Sequence, residues 1–273
     1  MSEVMWERLK AHELRALAEQ DAVVILPVAS IEQHGPHLPT MVDTRLGLEI
    51  ARRAAILASD TRPVVVAPVM WAGLSEHHMP FGGTLTLSHA TFRAVLRDLV
   101  MALARHGFRD IVISNSHGGN IIACQQFIDE VAPEMPEVTL VFTCYPMEAQ
   151  EEYKAILEDQ ESMAHACEAE TSMMMALEPD LVDDSALDEI AQVADGPRFL
   201  KTGKAGYRWR PFAHMTANGL AGDPTRANAE KGVRLIEVGA EAVANLIRDP
   251  ETFSPARDLR GAGTAGVAFR RDE

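Results

Sequence analysis

Potential metal ligands are concentrated in residues 32–43, which begin Glu-Gln-His-Gly-Pro-His-Leu-Pro and end on an aspartate. The ligand-type side chains of this stretch are Glu32, His34, His37 and Asp43. Carboxylates and imidazoles together suit a divalent transition metal such as Zn, Mn or Fe. The glycine and the two prolines among them would stiffen the stretch, as a preorganised ligand set requires and a solvated polar loop does not. Metal-dependent chemistry is therefore the first hypothesis.

Alternation along an extended segment predicts which of these side chains point inward. Glu32 and His34 are two residues apart, so both can face the same point. Gln33 then points away from the metals, toward packing or a backbone hydrogen bond. His37 is expected to orient a ligand or to contact substrate rather than to bind metal itself.

A second cluster, Asn-Ser-His-Gly-Gly-Asn at residues 115–120, follows an apolar run and precedes a helical pattern. This order places His117 at a strand-to-helix turn. Gly118 and Gly119 allow a tight turn and a close approach of the backbone, and Asn120 could cap the following helix. An ordinary glycine-rich turn has the same pattern, but its occurrence with the first cluster favours a shared site.

A third cluster, at residues 163–172, reads Met-Ala-His-Ala-Cys-Glu-Ala-Glu-Thr-Ser. His165 and Glu168 are three residues apart and would share a helix face if the helix already includes both. An imidazole and a carboxylate on one face can share a metal or a water. Taken alone, this cluster is more typical of a solvated polar helical stretch.

Apolar runs rich in β-branched residues alternate with helical patterns along the first half of the chain. The predicted strands are residues 23–28, 64–69, 111–114 and 138–143, and the predicted helices are residues 45–58, 91–106 and 120–131. Such alternation predicts an α/β fold, a three-layer α/β/α sandwich with a mostly parallel central sheet. Ligands bind beyond the carboxyl ends of the strands in such sheets, so the clusters should meet there.

The second half of the chain has a looser pattern. A helix is predicted to open at residues 223–225 and to run to about residue 247. Residues 182–199 are acidic and irregular and could form a loop or lid, and residues 203–210 could cover the site, form a subunit contact or form a surface hairpin. The tail, residues 255–273, is expected to be mobile or to lie against a neighbouring subunit. We predict one domain over residues 1–273.

Composition limits the classes of partner. The chain has 273 residues, 47% of them hydrophobic, which is enough to bury a sizeable core. A formal charge of −15 without any cluster of Lys and Arg argues against nucleic acid and anionic membranes, because both bind basic surfaces. A small-molecule substrate remains. The N-terminus lacks a signal-peptide pattern and no apolar stretch approaches the roughly 20 residues that cross a bilayer, so we expect a cytoplasmic protein.

Taken together, the three clusters resemble the creatininase family of metal-dependent amidohydrolases. The resemblance spans most of the chain and includes residues 73–87 and 219–224. It implies a creatininase-like fold and a site with two divalent metals, Zn, Mn or Fe. In that site Asp43 would bridge the metals, and the terminal ligands would be Glu32, His34 and His117.

One position departs from the family pattern. The enzyme for which the family is named carries a glutamate where this chain has Gly119, so one carboxylate ligand remains to be assigned. The resemblance implies that it comes from the third cluster, where Glu168 and Glu170 are the candidates and Glu170 is preferred. Glu168 then becomes a candidate catalytic residue beside His165, which resembles the family's acid/base histidine. The departure also weakens the case for creatinine as the substrate.

The activity implied by the resemblance is hydrolysis of a carbon–nitrogen bond, often in a cyclic amide, by a water that bridges the metals. The candidate substrate-binding residues are His37, Glu76, His77, Gly118 and Gly119. Three alternatives are a formamide substrate, cleavage of a carbon–carbon bond in a cyclic ketone, and a non-catalytic metal-binding partner in peptide maturation. The resemblance further implies a homo-oligomer, with a hexamer as the common state in the family.

Overall fold

Four parallel strands form the centre of the molecule. The computed structural model describes residues 3–158, 160–189, 207–255, 259 and 260. Its strands are β1 (Val23–Val28), β2 (Val64–Val66), β3 (Asp110–Asn115) and β4 (Thr139–Cys144). They lie in the order β2-β1-β3-β4, and every neighbouring pair is parallel. In register, Val28, Asn115 and Cys144 are aligned across β1, β3 and β4. The segments that leave these three strands therefore start side by side.

Helices cover both faces of this sheet. They are α1 (Ala11–Glu19), α2 (Val42–Ala58), α3 (His89–Arg105), α4 (Ile121–Val131), α5 (Tyr145–Glu148), α6 (Gln150–Ile156), α7 (Glu168–Leu177) and α8 (Ala229–Arg248). Three short 3₁₀ helices lie near the carboxyl edge of the sheet: Glu76–Phe81, Gly118–Asn120 and Phe212–His214.

The residues of β1 alternate between two hydrophobic cores. Val23 and Ile25 pack in the core that contains α2, α7 and α8, whereas Val24 and Leu26 pack in the core that contains α3 and α4. All six residues of β1 are buried because both sheet faces are covered. The predicted three-layer α/β/α sandwich is confirmed.

Two element boundaries differ from the prediction for local reasons. The ladder of β2 ends at Val66 rather than at residue 69, where Pro68 has no N–H to donate. The last helix begins at Ala229 rather than at residues 223–225. Asp223 accepts hydrogen bonds from the backbone N–H and hydroxyl of Thr225, which forms a local turn, and the helix starts only where Asn228 caps it.

Two further differences affect candidate site residues. Helix α2 begins at Val42, so Asp43 lies in a first helical turn instead of a loop. Helix α7 begins at Glu168, so His165 precedes it and the two residues do not share a helix face. The expected cap at Asn120 is wrong as well, because its side chain accepts from the Leu74 N–H and donates to a carbonyl at the end of β1.

Several predictions fall on residues outside the described ranges. These are most of the irregular segment 182–199, half of residues 203–210, and nearly all of the tail 255–273. The single-domain assignment stays a prediction. Across the described part of the chain, no helix combines the length and apolarity needed to cross a membrane.

Candidate metal centre

The ligand candidates meet at the carboxyl edge of the sheet. Glu32 and His34 follow β1, and His117 follows β3. Asp43 comes from the first turn of α2, and Glu170 from the first turn of α7. All five residues are at most 4% exposed, so their charges are largely removed from water. A buried group of three carboxylates and two imidazoles requires compensation for the lost hydration.

Asp43 lies between the other four residues. Its Oδ1 is 3.4 Å from His34 Nε2, and its Oδ2 is 3.1 Å from His117 Nδ1. On the first side, Glu170 Oε2 is 3.8 Å from His34 Nε2. On the second side, Glu32 Oε2 is 3.2 Å from His117 Nδ1. The arrangement is therefore two groups of ligand atoms that share one carboxylate.

Hydrogen bonds on the outer side of each imidazole fix which nitrogen faces inward. Three histidines each have one ring nitrogen on a backbone carbonyl, namely His34 Nδ1 on Glu32 O at 3.1 Å, His117 Nε2 on Leu74 O at 3.1 Å, and His165 Nε2 on Gln33 O at 2.8 Å. A carbonyl only accepts, so each of these nitrogens is the donor, and in the neutral ring that binds a metal the other nitrogen presents a lone pair to the centre. Histidines that bind metals are oriented in this way.

Buried polar atoms without hydrogen bonds mark the same place. They include Glu32 Oε2, His34 Nε2 and Asp43 Oδ2. Leaving such an atom unpaired costs about 1–3 kcal/mol, so native proteins rarely do so without a bound ion or water. The donor set of carboxylates and imidazoles fits divalent metals.

The charges within the centre are strongly coupled. Burial lowers the pKa of His34, but the carboxylates of Glu170 and Asp43 outweigh it and raise this pKa well above its usual range. His117 behaves in the same way, with burial opposed by Glu32 and Asp43. For Glu170, burial is the larger effect and raises the pKa of the carboxyl despite the nearby His34. The carboxylates of Glu32, Asp43 and Glu170 therefore favour positive charge at the point where they converge.

Further histidines surround Glu32. His165 Nδ1 lies 3.4 Å and His78 Nε2 lies 3.3 Å from Glu32 Oε1. The ring of His77 stacks near that of His117 at a centroid distance of 5.7 Å, and these two can also share a metal with Glu32. The predicted residues His165 and His77 are therefore at the site.

Three other predicted residues occupy different positions. The carboxylate of Glu168 binds Lys231 Nζ at 2.5 Å and lies outside every group of potential ligands among the described residues. His37 Nε2 bonds to Thr171 Oγ1 at 2.8 Å, next to Glu170 in α7. Glu76 is exposed.

The two predicted glycines differ from each other. Gly118 is exposed and its environment is open, whereas a Cβ at Gly119 would overlap the Leu74 carbonyl and the ring of His117 and would press on His77. A glutamate at position 119 would therefore require this part of the site to move. The absence of that carboxylate is consistent with Glu170 lying beside His34.

Sequence reasoning missed three contributors. Gln33 is predicted to pack or to form a backbone hydrogen bond, and no individual role is predicted for His78 or Phe212. Gln33 does bond the Gly219 carbonyl, but its amide also reaches His78 Nδ1 at 2.7 Å. The Phe212 ring lies 4.2 Å from the ring of His78 and 5.1 Å from that of His165, measured between centroids. The adjacent pair of histidines was a signal for His78, whereas nothing around Phe212 indicated its place.

Carboxylates and imidazoles that converge beyond the ends of parallel strands are typical of metal-dependent α/β enzymes. This chain belongs to one family within that class, the creatininase (creatinine amidohydrolase) family, which it matches over residues 7–247. The resemblance inferred from the motifs is confirmed.

Relatives with named activities are hydrolases of several kinds. A mycofactocin precursor peptide peptidase from Mycolicibacterium smegmatis is 30% identical over 86% of this chain and 87% of its own length. Creatinine amidohydrolase from Pseudomonas putida is 29% identical over 93% and 97%. A 3-dehydro-scyllo-inosose hydrolase from Thermotoga maritima is 27% identical over 94% and 86%. The chain is thus a hydrolase by family, without one substrate shared by its relatives.

Solved structures show the same fold. A crystal structure of creatinine amidohydrolase covers 94% of this chain and 100% of its own at 27% identity and a TM-score of 0.77. Two further creatininase structures, one a manganese form and one a variant of Zn–Zn type, each cover 93% of this chain and 100% of their own, at 28% and 29% identity and a TM-score of 0.75. Creatininase structures therefore carry Mn or Zn.

Proposed function

We propose that this chain is a two-metal hydrolase that cleaves a carbon–nitrogen bond of a cyclic amide or a related small molecule. The observation that carries the proposal is the position of Asp43, whose two oxygens face the inward nitrogens of different histidines. Two-metal hydrolases need a group with one oxygen for each of two metals roughly 3.5–4 Å apart, and a carboxylate in this position supplies it.

The ligand sets follow from the two groups of atoms. Glu32 and His117 would complete one metal site with Asp43, and His34 and Glu170 would complete the other. Each set mixes carboxylate and imidazole, which suits Zn, Mn or Fe.

Bound divalent metals lower the pKa of water toward neutrality and polarise a carbonyl oxygen, which are the two requirements for hydrolysing an amide. In this proposal His165 carries the proton. Its Nε2 donates to the Gln33 carbonyl, so Nδ1 is free to accept a proton at the centre and to deliver it to the leaving nitrogen. Burial and then the charge of His34 hold the pKa of His165 well below its usual range, which favours the neutral, accepting form.

The choice of a carbon–nitrogen bond rests on the relatives. An amidohydrolase and a peptidase both act on such bonds, and these are the names of the two relatives with the highest identity given above. The 3-dehydro-scyllo-inosose hydrolase keeps carbon–carbon cleavage in a cyclic ketone as the second candidate. A non-catalytic maturation partner is disfavoured, because all three relatives are named as enzymes.

Metal content tests the two-metal proposal. Elemental analysis of the purified chain after equilibration with Mn or Zn should give about two metals per chain, whereas Asp43→Asn should lose both sites. Asp129→Asn, at an exposed position of α4, is the matched control and should retain the metals. A native chain with no bound metal, or an Asp43→Asn variant with unchanged stoichiometry, would contradict the proposal.

A substrate panel tests the bond. Cyclic amides, imides, formamides, lactones and a short peptide amide should be assayed with the Mn-loaded and Zn-loaded chain. Turnover of the amides is the expected result. Turnover of a carbocyclic ketone with no activity on any amide would overturn the choice of bond while leaving the metal centre in place.

We also propose that the chain forms a homo-oligomer. The family resemblance implies a hexamer. Light scattering coupled to size-exclusion chromatography measures the mass of the assembly against the 29.8 kDa chain. A monomer at micromolar concentration would contradict this part. The cytoplasmic location stays a prediction.

A further inference from the structure

The side chain of Gln33 joins three parts of the site through one amide. Its Oε1 accepts from the Gly35 N–H at 2.9 Å, which fixes the orientation of the amide and turns Nε2 toward His78. Nε2 lies 2.7 Å from His78 Nδ1 and 3.0 Å from the carbonyl of Gly219. An amide nitrogen carries two hydrogens, so these two acceptors use both.

His165 does not compete for those hydrogens. Its Nε2 is 3.1 Å from Gln33 Nε2, but it already donates to the Gln33 backbone carbonyl at 2.8 Å. A ring nitrogen that carries a hydrogen has no lone pair to offer. The amide of Gln33 therefore donates to His78.

The donated hydrogen determines where His78 holds its own. A neutral imidazole that accepts at Nδ1 carries its hydrogen at Nε2. That nitrogen lies 3.3 Å from Glu32 Oε1, so the N–H of His78 is next to this oxygen. The chain of donors thus runs from Gln33 to His78 and ends beside Glu32 Oε1, while Glu32 Oε2, which has no hydrogen bond, faces His117.

The surroundings hold this chain of donors in place. Glu32, Gln33 and His78 are 1%, 7% and 2% exposed. Phe212 packs against the His78 ring. Gly219 has φ +84°, and a Cβ there would overlap the Gln33 amide, so only glycine fits this position.

We propose that Gln33 and His78 are positioning residues that hold Glu32 so that its Oε2 binds metal. The inference deepens the proposed function and rests on the assignment of Glu32 as a ligand. Neither residue binds metal in this scheme. Their contribution is to place the His78 N–H beside one of the two oxygens of Glu32 and so to leave the other for the metal, and partners of this kind typically change metal affinity by about 10- to 100-fold.

Two substitutions of His78 separate this role from packing. The amide nitrogen of Gln can occupy the place of Nε2 and still donate to Glu32, whereas the shorter Asn reaches only the place of Nδ1. Affinity for Co²⁺, with the visible absorption spectrum of the bound ion, should be measured for each. We expect His78→Asn to weaken binding about 10- to 100-fold and to change the spectrum, and His78→Gln to restore most of the affinity.

The controls make the outcomes distinct. His12→Asn, at an exposed position of α1, should bind as the parent does. Glu32→Gln should weaken binding at least as much as His78→Asn does. If Glu32→Gln has no effect, the proposed metal centre is wrong and the positioning role falls with it. If Glu32→Gln weakens binding and His78→Asn does not, only the positioning role is wrong. Equal losses of Co²⁺ affinity in both His78 variants would mean that the ring contributes only by packing. That result would also overturn the positioning role.

Gln33→Met tests whether Gln33 acts through His78. Methionine has a similar length but no donor. In the parent it should weaken Co²⁺ binding several-fold, and in the His78→Gln background the same change should have a smaller effect, because the contact with Nδ1 is already lost. An equal effect in both backgrounds would show that Gln33 acts independently. Thermal unfolding of each variant confirms that the fold is retained.

Discussion

Glu168 and Glu170 show how two carboxylates separated by a single residue take different roles. In a helix of 3.6 residues per turn, residues two apart point in nearly opposite directions. Glu170 points to His34 and Asp43, whereas Glu168 points to α8 and binds Lys231. The sequence left both glutamates as candidate ligands. The orientation of α7 directs only Glu170 toward His34 and Asp43.

The two glutamates should respond differently to the same substitution. Glu170→Gln should lower the metal content, because it removes a ligand, and should have little effect on the stability of the metal-free chain. Glu168→Gln should retain the metals and lower the free energy of unfolding by about 1–3 kcal/mol, because it leaves a nearly buried Lys231 with less compensation. Elemental analysis and urea unfolding of both variants make the comparison. Loss of metal in Glu168→Gln with an intact fold would contradict the assignment.

The site residues that the sequence predicts lie in compact clusters, whereas those that it does not predict are paired only in the folded chain. The proposed ligands stand in compact clusters whose residue types alone suggest metal binding, and Glu32, His34 and His117 are examples. Gln33 and His78 are 45 positions apart, and their pairing depends on which ring nitrogen faces which atom. No spacing rule contains that information.

At the scale of elements, the contact between α7 and α8 determines where Glu170 lies. Gly232 in the first turn of α8 faces the backbone of Ser172 in α7, and a Cβ at this position would overlap the Ser172 carbonyl. The absence of a side chain lets the two helices approach closely, with Lys231 bridging to Glu168 beside the contact. The sequence predicted α8 but not this contact, because it depends on how two surfaces fit.

Gly232→Ala should therefore destabilise the protein although alanine favours helices. The gain in helix propensity is about 1 kcal/mol, and overpacking costs about 1–3 kcal/mol or more where backbone atoms must move. We expect a lower Tm and, since α7 carries Glu170, weaker metal binding. Val233→Ala, at an exposed position of the same turn, should change neither. A Gly232→Ala variant as stable as the parent would show that the two helices can separate without effect.

Helix α2 carries a charged network that should respond to pH. Burial raises the pKa of Glu49, but hydrogen bonds and charges from Arg52 and Arg53 outweigh it and lower this pKa to about 2. The unfolded value is about 4.3, so ionised Glu49 stabilises the fold above that pH, and the contribution is lost as the pH falls toward about 2.

Glu49→Gln should lower the free energy of unfolding at pH 7 by roughly 1 kcal/mol. The difference from the parent should shrink as the pH falls from 5 to 3, as urea unfolding across this range would show. Glu19→Gln, at an exposed position near the end of α1, serves as the control with little effect. A difference that stays constant with pH would mean that Glu49 contributes by packing alone.

At the scale of the whole molecule, the parallel sheet brings four distant segments to one place. The ends of β1 and β3 lie in register, and α2 and α7 enter the same region with their first turns. Alternation of strands and helices was enough to predict this edge of the sheet as the site. Spacing alone could not choose between Glu168 and Glu170, since that choice depends on where α7 begins.

We expect the same convergence to make stability depend on metal. Glu32, Asp43 and Glu170 are buried together, and some of their oxygens lack hydrogen bonds, so the folded chain has a site that the unfolded chain lacks. Mass action then stabilises the fold by about 2.7 kcal/mol at 100 times the Kd, which for a chain of this size raises Tm by roughly 5–10 °C. Calorimetry of the chelator-treated protein during titration with Mn or Zn should show a Tm that keeps rising with metal concentration. Asp43→Asn should remove most of the rise and Asp129→Asn none of it; a Tm independent of metal in the parent would contradict a buried metal centre coupled to folding.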